Sequence, residues 1–133
     1  MSEKEPTRED LLAVAAMLSA IQRVESRPHE WRGGARADGT LQMPYVEYAP
    51  EVSALISAMY TRNITIVFDW GAWQNEARRF LDADVLARAS LEEVRRLLTL
   101  HVRKDRFVDG HLGGMVQCGH IAALLRRLGE LVA

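Results

Sequence analysis

Four histidines, His29, His101, His111 and His120, are the side chains of this chain best suited to proton transfer or metal ligation, because imidazole titrates near neutral pH and binds metals when neutral. None lies in an H-E-x-x-H pattern. His111 and His120 are nine positions apart, and at about 100° per residue that spacing puts them on opposite faces of one straight helix. A shared metal would need a break between them, and no metal site or cofactor is expected. His101 and Asp105 are four apart and share a helix face. The carboxylate could orient the imidazole as half of a catalytic dyad, but an ordinary helix-end pair is the simpler reading.

Arg106, His111 and the N–H groups around Gly110 form a second candidate, an anion site at a helix start. Asp105 and Asp109 oppose it, and Asp109 reads more simply as the cap of the last helix. Tyr45, Glu47, Tyr48, Asp69 and Trp70 combine aromatic area with polar tips and could rim a pocket, although core packing is the commoner use of such rings. Cys118, the only cysteine, excludes an intrachain disulfide, has no activating partner in sequence and is expected in the core. Neither a G-x-x-x-x-G-K-[ST] nor a G-x-G-x-x-G loop occurs, and no serine nucleophile elbow is present.

Residues 25–40 contain Arg27, Arg32, Arg36, His29, Trp31 and three glycines, and helical periodicity stops there. Arginine and tryptophan are enriched at binding hot spots. Trp31, Arg32 and Arg36 are therefore the candidate partner-binding residues, against the plainer reading of a solvated loop with Trp31 pinned to the core. A connection of about 15 residues in a compact domain is a functional loop, a hairpin or a disordered excursion.

The elements that must position these residues are mostly helical. Thr7 and Asp10 open a first helix whose stripe is Leu11, Val14, Ala15, Leu18, Ile21 and Val24. Asp38-Gly39 is a turn into an extended run over residues 41–48, where Pro44 restricts any strand to an edge. Pro50 starts a second helix carrying Val52, Leu55, Ile56, Met59 and Tyr60, and Asn63 ends it in a left-handed conformation. Residues 64–68 are β-branched and predict a short strand or connector. Asp69 caps a third helix from Trp70, with Phe68 and Trp73 as a hydrophobic staple and Ala77, Phe80 and Leu81 turned inward. Ser90 and Glu93 make a capping box ahead of Leu91, Val94, Leu97, Leu98 and Val102. Residues 109–132 form one helix, or two broken near Gly119. Glycine costs a helix interior about 1 kcal/mol relative to alanine, so Gly110, Gly113, Gly114 and Gly119 call for a reason, and close approach to a neighbouring helix is the expected one.

The segments Gln42-Met43-Pro44-Tyr45-Val46-Glu47-Tyr48, Pro50-Glu51-Val52, Phe68-Asp69-Trp70 with Trp73, Asp105-Arg106-Phe107, Gly110-His111-Leu112 and Gly119-His120-Ile121 together resemble a bacterial family of small uncharacterised domains, over roughly residues 31–128. The resemblance implies a shared fold and carries no catalytic role to any residue.

The chain has 133 residues, 48% hydrophobic and 26% charged, which suits one globular domain spanning residues 1–133. Lysine and arginine total 17 against 18 acidic residues, a net charge of −1, so nucleic acid is not expected as a partner. No apolar run reaches the roughly 18 to 20 residues that span a bilayer, and Met1-Ser2-Glu3-Lys4-Glu5-Pro6 has no apolar signal core. No membrane association and a cytoplasmic location are therefore expected. The predicted fold is mainly α, a compact bundle of five or six helices with at most two short strands, at 41–48 and 64–68. Without a recognisable catalytic set, the reading leans away from an enzyme. It favours a non-catalytic binding or regulatory module that engages a protein partner or itself. The alternative is a small-ligand-binding or hydrolytic domain that uses His111, His120, Asp69 and Arg106 beside Tyr45, Glu47 and Tyr48, provided they converge in space.

Overall fold

The computed structural model describes residues 4–133, so Met1, Ser2 and Glu3 of the charged N-terminal stretch lie outside the described residues. The fold is mainly α with one antiparallel hairpin. Its helices are more numerous and shorter than the five or six expected, because turns divide three of the expected segments.

The N-terminal helix starts on the expected cap: Thr7 Oγ1 accepts from Asp10 N, and the Asp10 carboxylate accepts from Thr7 N. It breaks at Ala16 and Met17 into α1 (Arg8–Ala15) and α2 (Leu18–Arg23). Residues 25–40 are not a long loop. They contain β1 (His29–Ala35), which pairs antiparallel with β2 (Leu41–Tyr48). Gly39 closes the hairpin at φ 86°, while Asp38 Oδ1 accepts from both N and Oγ1 of Thr40. Alternation failed to reveal β1 because His-Glu-Trp-Arg-Gly-Gly-Ala has no apolar face of its own and takes its geometry from β2. The register shifts between Arg32 and Gly34, opposite the segment holding Pro44, a bulge that accommodates a residue with no N–H to donate.

Helix α3 (Pro50–Thr61) buries Val52, Leu55 and Met59, and Asn63 follows it at φ 59°, as expected of a left-handed stop. Residues 64–68 form no strand. Their polar backbone is satisfied by side chains of the helix beneath: Ile66 N donates to Thr99 Oγ1, and Arg95, itself buried, donates to the carbonyls of Asn63 and Ile64. The third expected helix is also shorter. Asp69 Oδ1 caps Ala72 N and Phe68 meets Trp73 edge-on at 5.8 Å, but Trp70 to Trp73 form a turn before α4 (Gln74–Ala77) and a 3-10 turn (Arg78–Leu81). The tighter 3-10 winding keeps Phe80 in the core and rotates Leu81 out to solvent.

After α5 (Ala83–Leu86), the Ser90–Glu93 capping box opens α6 (Leu91–Asp105). The chain ends in α7 (His111–Gln117) and α8 (His120–Val132). Helix α8 packs against α1, α2, α5, α6 and α7, and Ile121, Leu124, Leu125 and Leu128 join Leu97, Leu98, Leu112 and Val116 in the core. Cys118 is not in the core: it follows the last residue of α7 and is exposed. Among the described residues no helix is long and apolar enough to cross a membrane.

Candidate functional site

Two Gly-His pairs build the site. Gly110 and Gly119 each precede a helix at positive φ, 84° and 87°, and in both helices the first residue is the histidine. The break at Gly119 removes the obstacle set by the nine-residue spacing. A left-handed residue reverses the helix direction, and His111 and His120 now both pack on His101. His101 Nδ1 lies 3.0 Å from His111 Nε2, and the His101 and His120 rings meet edge-to-face with centroids 5.1 Å apart. His101 is the hub, and sequence reasoning left it out of the site. Its position was nevertheless legible, since it stands three and four residues after Leu98 and Leu97, on the apolar stripe of α6.

The three imidazoles open onto a cleft of about 150 Å³, also lined by Gln74, Ala77, Arg78, Leu81, Leu100, Lys104 and Met115. Burial pushes His101 well below its ordinary value, reinforced by His120, His111 and Lys104. Burial also lowers His111, with Lys104 acting in the same direction and Asp105 against it. His120 is lowered to about 4 by burial and then by His111. The cluster is therefore neutral near neutral pH. His101 and His120 are each only 6% exposed, and among the described residues neither of their Nε2 atoms has a hydrogen-bond partner. Leaving a buried polar group unpaired costs about 1–3 kcal/mol, so the arrangement is unfavourable for the empty chain. Among the described residues no three His, Cys, Asp or Glu side chains are arranged to hold a metal ion. The cleft lining includes no serine, threonine, cysteine or carboxylate.

Asp105 does not orient His101. Its Oδ1 accepts from Tyr48 Oη at 2.5 Å and from Leu112 N at 2.9 Å, while Tyr48 Oη accepts from Gly113 N. The start of α7 is therefore occupied by the chain's own carboxylate and phenol, which displaces the expected anion site, and Asp109 is not the cap. Burial, then the hydrogen bond to Asp105, raises the Tyr48 pKa. Close approach does explain Gly113, but the neighbour is a strand residue. A Cβ there would stand 2.0 Å from His29 Nδ1. Gly114 has nothing nearby.

The other candidates scatter. Arg106 and Arg103 each lie 5.2 Å over the Tyr60 ring, and Trp70 stacks at 6.0 Å on Phe107, on a separate groove that includes both arginines. Asp69 only caps its turn. Tyr45 faces Arg32 across the hairpin, Glu47 pairs with Arg32, and Arg36 bonds Gln42. Trp31 is not pinned to the core: it is 55% exposed and lies over Gly110. Thus His111 and His120 converge, whereas Asp69, Arg106, Tyr45 and Glu47 do not join them.

No curated protein and no solved structure matches the chain. A family pattern does match, over residues 6–133, a longer span than the resemblance over roughly 31–128, and it takes in every element that shapes the cleft. The chain belongs to this family, a family of unknown function (DUF6508).

Proposed function

We propose that this chain is a non-catalytic binding domain whose cleft at the junction of α6, α7 and α8 takes a small ligand. The observation that carries this reading is the pair of buried imidazoles, His101 and His120, which line the cleft and whose Nε2 atoms have no hydrogen-bond partner among the described residues. Buried polar groups left unpaired in a native fold call for an explanation, and a ligand that completes them is the direct one. The lining offers the imidazoles no serine, threonine or cysteine to activate and no carboxylate to orient them, so a hydrolytic set has little support. The cleft, about 150 Å³ and open to solvent, has room for a benzene-sized part of the occupant. Imidazole resonances of His101, His111 and His120, followed by NMR while a library of small polar metabolites is added, test the reading. Ligand-dependent shifts that vanish in Met115→Trp, which fills the cleft, are expected. Unmoved resonances across the library would count against it.

A second reading, engagement of a protein partner or a second copy, is favoured by the outer face of the hairpin. Leu41 and Met43 are 82% and 85% exposed there, on the same face as Tyr45 and beside Arg32 and Glu47. Gel filtration and pull-down of the wild-type chain against Leu41→Ser/Met43→Ser test it. Equal behaviour of the two proteins would remove the hairpin from consideration.

A further inference from the structure

We infer that the cleft ligand is a compact organic anion, a short-chain carboxylate, held by Lys104 and Arg78 and by the imidazoles of His101, His111 and His120. This rests on the reading of the cleft as a binding site and goes further by naming the class of occupant.

Charge is the first argument. Every ionisable side chain of the lining is a base: Arg78 on the 3-10 turn, His101 and Lys104 on α6, His111 on α7 and His120 on α8. Among the described residues neither Lys104 nor Arg78 has a carboxylate within ion-pair distance, and Lys104 Nζ donates instead to the neutral Gln74 Oε1 at 2.9 Å. Asp105, the acid that acts on His111, is engaged by Tyr48 and Leu112 N. Lys104 and Arg78 would repel a cation there, and a neutral molecule would leave both without a counter-ion.

Shape is the second argument. Ala77, Leu81, Leu100 and Met115 give the same cleft apolar walls, which suit a short hydrocarbon chain and offer nothing to a bare inorganic ion. The carboxylate supplies the acceptor that imidazole N–H groups lack.

Protonation is the consequence. His101 is faced by His111, His120 and Lys104, His111 by Lys104 and Asp105, and His120 by His111, with Arg78 across the cleft. All three imidazoles are held neutral in the empty chain. An anion beside them favours the charged form, so binding draws in a proton.

The test is calorimetric titration of the full chain with butyrate, butyramide, butylammonium and inorganic phosphate at a pH of about 6, in two buffers of different ionisation enthalpy, alongside imidazole NMR. Butyrate should bind most tightly, with net proton uptake. Lys104→Met should weaken it at least about tenfold, the loss produced by removing a charge-assisted hydrogen bond, and Arg78→Gln should weaken it in the same direction. Butyramide or butylammonium binding as well as butyrate overturns the anion while leaving a ligand-binding cleft. Phosphate binding equal to butyrate overturns the organic class. If butyrate moves no imidazole resonance, the inference fails. If the metabolite library moves none either, the binding-domain reading fails with it.

Discussion

The Tyr48 hydroxyl, at the last residue of β2, donates to Oδ1 of Asp105, the last residue of α6 and 57 positions further along the chain. The same Oδ1 takes Leu112 N and the same hydroxyl takes Gly113 N, so one phenol and one carboxylate fasten the hairpin, the end of α6 and the first turn of α7 to one another. His101 and His111, which meet at 3.0 Å, belong to those two helices.

Tyr48→Phe keeps the ring and deletes both hydrogen bonds. Hydrogen bonds to charged groups are worth about 1.5–3 kcal/mol, and a loss in that range is expected from denaturant unfolding. Imidazole resonances of His111 should shift as α7 loosens. A change within measurement error would show that the phenol does not hold the hairpin.

Gly113→Ala should be destabilising by about 1–3 kcal/mol, the usual cost of forcing a group into a packed site. The added Cβ would meet His29 Nδ1 at 2.0 Å, and that ring is fixed between Gly113 and the Tyr48 ring, 5.9 Å away. His29→Ala/Gly113→Ala should recover part of the loss, giving a non-zero coupling in the double-mutant cycle. Strict additivity would separate the two residues.

Folding stability should fall on the acid side of neutrality. His101, His111 and His120 are lowered from 6.5 in the folded chain, His120 to about 4. Below pH 6.5 the unfolded chain takes up protons that the folded cluster refuses, so stability is full above that pH and declines as the pH drops toward about 4. Denaturation midpoints measured across this window should show the decline, and His120→Leu should flatten it. An identical slope in the variant would exclude His120 as a source.

Arg32→Ala/Arg36→Ala should change stability by less than about 1 kcal/mol, because exposed ion pairs contribute little. Arg32 is half exposed between Glu30 and Glu47, and the Arg36 guanidinium donates to Gln42 Oε1 at the surface of the hairpin. If the outer face of the hairpin engages a partner, the same variant weakens that complex while the melting temperature holds. A large loss of stability would instead give these arginines a structural role.

Local signals with local causes could be read directly from the residues. The Thr7 cap, the Ser90–Glu93 box, the left-handed Asn63, the Asp38–Gly39 turn and the Phe68–Trp73 contact all involve neighbours in the chain, and the structure bears each of them out. Tertiary structure decided whatever depended on a partner far away in sequence. Strand β1 exists because β2 supplies its hydrogen bonds. Residues 64–68 form no strand because Arg95 and Thr99 satisfy that backbone first. Asp105 binds Tyr48 rather than the adjacent-turn His101, since the hairpin brings a phenol and α7 an amide N–H, that of Leu112, to its Oδ1. The histidine cluster belongs to the same class. Spacing showed that His111 and His120 needed a break to meet, but only the positive φ at Gly119 and the packing of α8 on α6 brought them both against His101.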